Sequence, residues 1–411
     1  KLRNILVIGA GPAGLFTAIS CTTEGRNVTV LDKNDSPGKK LLMTGSGQCN
    51  LTNLKAPKQM LKHYFGIEAE RFLKPALMAF DSSRLIEFFQ KSGLKMTVRD
   101  DGKVFPVTLS ARDVLEVLLA ECEKQGITVE CNCRVTSVDR KDDGTFLVKT
   151  PGRNFQANYL AITTGGRSYP YTGSSGDGYL FAQKMGHTIQ EPRPALSAVY
   201  IDDFPLSDLS GISIKQAKVS LWRNGGKIAE RREDLLLTHT GLSGPAILHL
   251  SREILPGDTL LINLAGWKRE DADRLLLERL TINGKKNIKN ILADLDLPER
   301  LIEKLVELSG AAARTGAEIK KQERKKLERL LTSLEMKVSK TGDFLTAMMT
   351  RGGISITEVN SRSMESRLVP NLFFAGEVLD FDGETGGYNL QAAFSTGYLA
   401  GISIRAKSGR P

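Results

Sequence analysis

The fold is decided by Leu2-Arg-Asn-Ile-Leu-Val-Ile-Gly9-Ala-Gly-Pro-Ala-Gly14, in which an apolar run of strand length leads directly into a turn with three glycines. An Ala-, Leu- and Ile-rich stretch follows and predicts a helix that continues to about Thr23. Val28–Leu31 predicts a second short strand, which ends at Asp32. A strand, a glycine turn, a helix and a strand in this order are typical of a parallel, doubly wound α/β sheet.

The three glycines and the acidic residue have distinct roles in binding a dinucleotide. Gly9 permits the tight turn, Gly11 lets the backbone approach a pyrophosphate, and Gly14 lets the helix pack closely on the strand. The N-terminal end of the helix then attracts the phosphates. Asp32 would accept hydrogen bonds from a ribose 2′-hydroxyl. Its negative charge would repel a 2′-phosphate at the same place. The pattern predicts a dinucleotide but does not choose between FAD and NAD.

A second glycine motif near the C-terminus favours FAD. Phe373-Phe-Ala-Gly-Glu377 is an apolar strand that runs into a glycine and a carboxylate. It resembles the second FAD motif of glutathione-reductase-like flavoproteins, in which an acidic residue, usually Asp, holds the ribityl chain. Gly386-Gly-Tyr-Asn389 then opens a helix whose positive end would stabilise the negative charge of a reduced flavin. NAD-binding domains do not need this distal segment.

A loop rich in glycines, hydroxyls and amides follows Asp32. It reads Gly38-Lys-Lys-Leu-Leu-Met-Thr-Gly-Ser-Gly-Gln-Cys-Asn-Leu-Thr-Asn53. This composition suits a loop that wraps the pyrophosphate and ribityl groups, and Lys39 or Lys40 would add positive charge. The alternative is a flexible surface loop.

Taken together, these motifs resemble the BaiN/aminoacetone-oxidase-like flavoproteins, a family of NAD(P)/FAD-dependent oxidoreductases. Two positions depart from the pattern of that family, Ser46 (usually Gly) and Gln48 (usually Arg). The resemblance covers nearly the whole chain and also includes Thr164-Gly-Gly-Arg-Ser-Tyr-Pro170, Thr172-Gly-Ser-Ser-Gly-Asp-Gly178, Thr238-His-Thr-Gly-Leu-Ser-Gly-Pro245, Met364-Glu-Ser366 and Phe374-Ala-Gly-Glu-Val-Leu-Asp380.

The resemblance implies a Rossmann-like doubly wound FAD/NAD(P)-binding fold with an inserted β-barrel-like domain and a helical subdomain. Changes in sequence texture place the discontinuous FAD domain at residues 1–191 and 345–411, the barrel-like substrate domain at 192–267 and 335–344, and the helical subdomain at 268–334. Within the first domain, residues 71–92 are predicted to be helical. Family members oxidise small amines or reduce conjugated steroid enones, so the resemblance predicts an oxidoreductase acting on a small organic substrate.

The cofactor is expected to be non-covalent FAD, with NAD(P)H as a possible transient electron donor. The residues expected to bind it are Gly9, Gly11, Pro12, Ala13, Gly14, Asp32, Lys33, Lys39, Lys40, Leu41, Ser46, Gly47, Gln48, Cys49, Asn50, Val135, Thr164, Gly165, Gly166, Gly376, Glu377, Gly386, Gly387, Tyr388 and Asn389.

Catalytic candidates are few. His239 follows an apolar strand at a glycine loop where the insert would meet the flavin, and it is a hypothesis for proton exchange. A structural histidine is the alternative. Tyr169 and Tyr388 flank the FAD-like motifs and would cover the flavin or pack in the core. Cys49 lacks the nearby partner that a flavoprotein disulfide reductase needs, and no second GxGxxG provides a separate NAD(P) domain.

The net charge of +10 and the pI of about 9.3 permit an anionic partner. The basic stretch 318–329 intersperses Lys and Arg with Glu and lacks aromatic residues, which favours a solvated helix over an RNA-binding one. Nucleic acid is therefore disfavoured as a partner. An RNA-modifying or RNA-binding flavoprotein and a non-catalytic flavin-binding regulator remain as alternative functions.

Five cysteines and no apolar run of membrane-spanning length predict a cytoplasmic protein without a disulfide framework. Cys131 and Cys133 have no further His or Cys ligands nearby, so no metal site is expected. The oligomeric state is left open.

Overall fold

The strand, glycine turn and helix predicted at the N-terminus are present in the computed structural model, which describes residues 3–409. Leu2, the first residue of the predicted strand, lies outside the described residues. The strands are β1 (Arg3–Ile8), β2 (Arg26–Leu31), β3 (Thr52–Asn53), β4 (Met96–Val98), β5 (Lys103–Pro106), β6 (Thr128–Glu130), β7 (Ser137–Arg140), β8 (Phe146–Lys149), β9 (Asn154–Ala157), β10 (Tyr159–Ile162), β11 (Ile189–Ala195), β12 (Val199–Tyr200), β13 (Ser213–Arg223), β14 (Gly226–Leu237), β15 (Gly241–Ser243), β16 (Thr259–Asn263), β17 (Leu334–Lys337), β18 (Lys340–Thr341), β19 (Met349–Ile354) and β20 (Leu372–Phe374). The helices are α1 (Pro12–Cys21), α2 (Lys39–Met43), α3 (Pro57–Met60), α4 (Ile67–Ala79), α5 (Ser82–Lys91), α6 (Ala111–Lys124), α7 (Asp177–Lys184), α8 (Pro245–Leu250), α9 (Ala272–Ile282), α10 (Ile288–Ile291), α11 (Glu299–Ser309), α12 (Lys321–Thr332) and α13 (Tyr388–Ser408).

A five-stranded parallel sheet organises the unit formed by residues 3–194 and 348–409. Its strand order is β20-β10-β1-β2-β6, and every neighbouring pair is parallel. The predicted doubly wound α/β fold is confirmed. Because parallel strands end at the same edge of a sheet, the residues that follow β1, β2, β10 and β20 meet there. These residues are Gly9, Asp32, Thr163 and Ala375.

Helix α13 packs closely along α1 in this unit. A Cβ atom on Gly397 would lie 2.5 Å from the carbonyl oxygen of Ala13, so only glycine permits this approach. The ring of Phe16 contacts Phe80 and Phe394 at centroid distances of 4.9 and 5.3 Å. Each such buried ring contributes roughly 1.5–3 kcal/mol to folding. The contacts join the first helix of the chain to the last.

The helix predicted over residues 71–92 is two helices, α4 and α5. The carboxylate of Asp81 accepts a hydrogen bond from the backbone N–H of Arg84 at 2.9 Å and so caps the start of α5. The helical character predicted for this stretch is confirmed, and the capping signal at Asp81 divides it into two helices.

A seven-stranded sheet organises the second unit, residues 195–347. Its order is β17-β16-β13-β14-β15-β12-β18, and the pairs are antiparallel. The two outermost strands, β17 and β18, are separated by only Val338 and Ser339. The backbone N–H of Val338 donates to the carbonyl oxygen of Asp258 at 2.8 Å. The backbone N–H of Ser339 donates to the carbonyl oxygen of Tyr200 at 2.9 Å. One short segment therefore joins both edges of the sheet, which curves back on itself.

The helices α9–α12 share a single apolar core with this sheet. The two units separate at 194/195 and 347/348, close to the predicted boundaries at 191/192 and 344/345. The further division of the insert into a barrel-like part and a helical subdomain stays a prediction.

Candidate cofactor site

The glycine turn after β1 has the backbone geometry that the fingerprint requires. Gly9 adopts φ +108°, and a Cβ atom there would lie 2.6 Å from the carbonyl oxygen of Thr163. A Cβ atom on Gly14 would lie 1.8 Å from the carbonyl oxygen of Gly9. By contrast, a Cβ atom on Gly11 would meet no protein atom within 4 Å. Positions 9 and 14 therefore exclude side chains for packing reasons, while position 11 faces open space.

That open space belongs to a cavity at the carboxyl edge of the parallel sheet, here called the cofactor cavity. The predicted residues that line it are Gly9, Gly11, Pro12, Ala13, Asp32, Lys33, Lys39, Lys40, Leu41, Val135, Thr164, Gly165, Gly376, Glu377 and Asn389. The predicted residues outside its lining are Gly14, Ser46, Gly47, Gln48, Cys49, Asn50, Gly166, Gly386, Gly387 and Tyr388. Lining residues that the sequence did not single out include Asn34, Thr44, Cys133, Thr163, Ser174, Asp177, Phe381 and Leu390.

The start of α1 presents amide groups to this cavity. Pro12 occupies the first turn, no side chain caps the helix, and the first turn contains no acidic residue. A helix N-terminus in this state attracts anions such as phosphate. The hydroxyl of Thr164, also in the cavity wall, is buried and has no hydrogen-bond partner. Both features fit a bound dinucleotide that supplies the missing acceptors and donors.

Asp32 lies nine-tenths buried at the end of β2. Its Oδ2 accepts the backbone N–H of Ala10 at 2.8 Å, and its Oδ1 accepts that of Asn34 at 2.9 Å. These bonds fix the carboxylate at the cavity wall. Each carboxylate oxygen keeps a further lone pair, so the group can also accept a ribose hydroxyl.

The lysines predicted to bind phosphate are each paired with a carboxylate. Lys39 Nζ lies 2.8 Å from Asp35, and Lys33 Nζ lies 2.8 Å from Asp177. Although burial opposes it, hydrogen bonding to Lys33 holds the pKa of Asp177 below its usual value. The charges of these lysines are therefore compensated within the chain.

Glu377 is held at both oxygens. Its Oε2 accepts from Lys40 Nζ at 2.7 Å, and its Oε1 accepts from the backbone N–H of Thr350 at 2.9 Å. A Cβ atom on Gly166 would lie 2.9 Å from Oε1, so a glycine at that position makes room for the carboxylate. Glu377 lines the cofactor cavity in a fixed orientation.

The glycine-rich loop packs under the cavity wall. Cys49 is fully buried, and burial raises the pKa of its thiol to about 12. Gln48, which replaces the Arg of the family pattern, accepts a hydrogen bond from Arg99 at 2.8 Å, and Arg99 stacks on Phe105. The side-chain amide of Asn50 donates to the carbonyl oxygen of Thr52, and its oxygen accepts a hydrogen bond from the backbone N–H of Gly387. The loop thus braces the start of α13.

The first residues of α13 differ in whether they face the cofactor cavity. Asn389 and Leu390 line the cofactor cavity, whereas Tyr388 does not. A Cβ atom on Gly387 would lie 2.5 Å from the carbonyl group of Thr52, which explains the glycine before Tyr388. The phenol of Tyr388 is buried, which raises its pKa above its usual value.

Tyr388 belongs to a group of side chains here called the His63 cluster: Lys55, His63, Glu384 and Tyr388. The sequence singled out only Tyr388 among them. The imidazole of His63 stacks on the Tyr388 ring, with 4.1 Å between centroids and 8° between planes. His63 Nδ1 lies 2.6 Å from Glu384 Oε2, and Nε2 lies 2.7 Å from Lys55 Nζ. The members come from two stretches of the chain, 55–63 and 384–388, so no local motif contains all of them.

Two catalytic candidates lie elsewhere. Tyr169 is half-buried with φ +54°, and Lys40 Nζ lies 6.0 Å from its ring centroid. It does not line the cofactor cavity. His239 is exposed between β14 and β15 in the second unit. The catalytic roles of both residues stay predictions.

No group of three or more His, Cys, Asp or Glu side chains among residues 3–409 is arranged to hold a metal ion. Across the same residues, none of the helices has the length and apolar character that crossing a membrane requires.

A family model described as HI0933-like protein Rossmann domain matches residues 3–403. The chain belongs to this family.

Two full-length relatives support the assignment. The chain is 34% identical to the ribosomal RNA dihydrouridine synthase of Escherichia coli over 407 residues, or 98% of this chain and 99% of that protein. It is 30% identical to the 3-dehydro-bile acid delta(4,6)-reductase of Clostridium scindens over 420 residues, which covers both proteins completely. The second relative confirms the family resemblance read from the motifs.

Solved structures share the fold. The 3-ketosteroid delta1-dehydrogenase of Sterolibacterium denitrificans aligns with a TM-score of 0.53 over 98% of this chain and 100% of its own, at 12% identity. This HI0933-like protein is an FAD-dependent oxidoreductase, and the prediction of FAD is confirmed.

Proposed function

We propose that this protein reduces a uridine of ribosomal RNA to dihydrouridine with FAD as its redox cofactor. The observation that carries the proposal is the end-to-end similarity to the E. coli ribosomal RNA dihydrouridine synthase. Because the alignment covers 98% of the chain, it includes the FAD-binding unit and the inserted unit together.

The proposed reaction is of the same type as the reactions for which both full-length relatives are named. Dihydrouridine formation and delta(4,6) reduction each add two hydrogens across a carbon–carbon double bond. In uracil, the C5=C6 bond is conjugated with the C4 carbonyl, so C6 accepts a hydride and C5 accepts a proton. FAD in its reduced form supplies the hydride when bound. The chain must bind the cofactor, hold the base against it and deliver the proton.

The described residues meet the first of these requirements. The N-terminus of α1 would hold the pyrophosphate, and Asp32 would hold a ribose hydroxyl. The positive end of α13, which begins at Tyr388, would offset negative charge on the reduced ring. The insert would then contribute to the choice of substrate.

The distribution of charge supports a polyanionic substrate. Residues 51–103 contain ten Lys and Arg against six Asp and Glu, within a chain of net charge +10. Three of these lysines, Lys62, Lys91 and Lys103, pair with carboxylates, and so do Arg324 and Lys325 of α12. The proposal replaces the expectation that disfavoured nucleic acid as a partner, which rested on the pattern of residues 318–329 and on the lack of a recognisable RNA-binding motif.

The electron donor is part of the proposal. A reduced nicotinamide, NADH or NADPH, would bind transiently and reduce the flavin, since two electrons are consumed for each uridine. Anaerobic mixing of the purified yellow protein with each nucleotide tests this point. Bleaching of the flavin within seconds supports it, and an unchanged spectrum contradicts it.

The substrate is tested with chemically reduced holoenzyme. The enzyme, reduced with dithionite under anaerobic conditions, is mixed with ribosomal RNA transcribed in vitro, with transfer RNA transcribed in vitro, and with a 3-keto-4-ene steroid. A mass gain of about two daltons in one ribosomal fragment, with flavin reoxidation, is the expected result. Reduction of the steroid alone would contradict the proposal and assign the enzyme to small enones. Flavin reduction by a small amine would assign it to amine oxidation.

A further inference from the structure

We propose that Lys55 is the acid that protonates C5 of the uracil ring, and that His63 and Glu384 hold it in position. This inference rests on the proposed function. It starts from an arrangement in which one imidazole joins an ammonium group to a carboxylate at the first residue of α13.

The hydrogen bonds define the proton positions in the cluster. A lysine ammonium group only donates, so His63 Nε2 accepts from Lys55 across 2.7 Å. The imidazole proton then lies on Nδ1, which donates to Glu384 across 2.6 Å. The ammonium group of Lys55 retains two further N–H bonds for a substrate.

The imidazole does more than pack. Stacking on Tyr388 needs only a flat ring, which phenylalanine would also provide. Histidine adds one hydrogen bond to a cation and one to an anion, and these bonds fix the direction of the Lys55 side chain. Lys55 Nζ also lies 5.5 Å from the Tyr388 centroid, so the ring and the imidazole both contact it.

The residues of the His63 cluster do not themselves line the cofactor cavity, but they are joined to its wall through Asn389. Asn389 lines that cavity, and its Nδ2 donates to the carbonyl oxygens of Gly383 and Glu384. Its Oδ1 accepts from the N–H of Gly383. The segment that carries Glu384 is thus anchored to the residue beside the cofactor. The backbone N–H of Glu384 also donates to the carbonyl oxygen of His63 at 2.8 Å.

Other acids in this unit fit the role less well. The thiol of Cys49 is fully buried, so solvent cannot return a proton to it after turnover. The phenol of Tyr388 is 96% buried beneath His63 and Lys55. Lys55 and His63 are each partly exposed, so solvent can return a proton to them after turnover.

The Lys55 ammonium group donates a proton to C5, and reduced FAD, when bound, would supply the hydride to C6. The neutral amine of Lys55 then takes a proton from solvent. The cofactor would be left oxidised, and a reduced nicotinamide would return two electrons to it before the next turnover.

The test uses single-turnover reduction of ribosomal RNA by dithionite-reduced holoenzyme. Lys55→Arg keeps the positive charge and the hydrogen-bond donors but cannot release a proton at neutral pH. We expect the rate to fall about 100-fold or more while the Kd for RNA changes less than about threefold, since general acids contribute about 10²–10⁴ in rate. Lys55→Met should lower the rate by a similar factor. Lys124→Met, at an exposed position of α6, is the matched control and should keep the rate.

The positioning role has a readout that does not depend on activity. In apoprotein labelled with ¹⁵N-histidine, His63 should show a protonated Nδ1 with a downfield proton resonance. Glu384→Gln should move that resonance upfield and slow the single-turnover rate about tenfold. His63→Phe, which keeps the stacking on Tyr388, should slow it similarly without changing flavin content.

The outcomes separate the two proposals. If the parent enzyme makes dihydrouridine and Lys55→Arg does so within threefold of its rate, the role of Lys55 is wrong and the proposed function stands. If Lys55→Arg loses RNA affinity rather than rate, Lys55 is a phosphate anchor and not the acid. If the parent enzyme reduces no ribosomal RNA, the proposed function fails and this inference fails with it.

Discussion

The Nζ atom of Lys40 lies 2.7 Å from Oε2 of Glu377, and this ion pair joins the loop after the first dinucleotide motif to the second FAD motif. Both side chains are mostly buried, and Glu377 also accepts the N–H of Thr350. Two segments that are 337 residues apart in sequence are thereby held at one wall of the cofactor cavity.

Lys40→Met should destabilise the protein, because it leaves the Glu377 carboxylate partly buried with one partner fewer. The expected loss is about 1–3 kcal/mol of unfolding free energy. Urea unfolding of Lys40→Met, Glu377→Gln and the double variant measures it. A coupling energy near zero in this cycle would mean that the pair does not contribute to stability.

Gly11→Ala should weaken cofactor binding without harming the fold. A Cβ atom at position 11 meets no protein atom and would project toward the pyrophosphate, so we expect FAD affinity to fall at least about tenfold, or 1.4 kcal/mol. The apoprotein should unfold within about 0.5 kcal/mol of the parent. Fluorescence titration with FAD and urea unfolding give the two quantities.

The neighbouring glycines provide contrasting controls. Gly14→Ala should fail to fold normally, because its Cβ would overlap the carbonyl oxygen of Gly9. Gly152→Ala should change neither quantity, since position 152 has open space and no positive φ. Normal FAD binding by Gly11→Ala would show that the cofactor does not approach this turn.

Alkaline pH should destabilise the fold through buried thiols. Burial raises the pKa of Cys21, Cys49 and Cys122 to about 12, whereas the unfolded chain releases these protons near about pH 8.5. The stability that each thiol contributes is therefore present below about pH 8.5 and is lost as pH rises toward 12, by about 1.4 kcal/mol per pH unit. Urea unfolding between about pH 8 and about pH 10 should show that the unfolding free energy of Cys49→Ala declines less steeply with pH than that of the parent protein. Parallel pH profiles would contradict the assignment.

His239→Ala should retain single-turnover activity within about threefold, since the proposal assigns protonation to Lys55 and an acid would contribute about 10² or more. His239 is exposed in the turn after β14. Rapid mixing of the reduced variant with ribosomal RNA measures the rate. A loss of 100-fold or more would restore His239 as the acid.

The features that could be predicted from the sequence are those set by residues close together in the chain. The three glycines and Asp32 lie within one short segment, and their spacing alone indicates the turn that the structure contains. The break between α4 and α5 also has a local signal, because Asp81 precedes two serines and an arginine at the start of a helix. That signal places the division within a stretch for which the sequence predicted only helical structure.

Pairings between distant segments were not predictable in the same way. Lys39 and Lys40 are basic residues beside a phosphate-like motif, yet the structure pairs them with Asp35 and Glu377. His63 lies 321 residues from Glu384 in sequence, so no spacing rule connects them. Such contacts depend on which ends of the sheet and helices meet, and this information is tertiary.

The order of synthesis gives the α1–α13 packing a further consequence. During translation, β1, β2, β6 and β10 emerge first, followed by the whole insert, and only then β20 and α13. Until the last segment arrives, β10 has an open edge, and Phe16 lacks its contact with Phe394. Apolar surface on β10 and α1 therefore stays uncovered until β20 and α13 have been synthesised. A ribosome-bound chain that ends before Leu372 should recruit chaperones, and the complete chain should release them as it captures FAD.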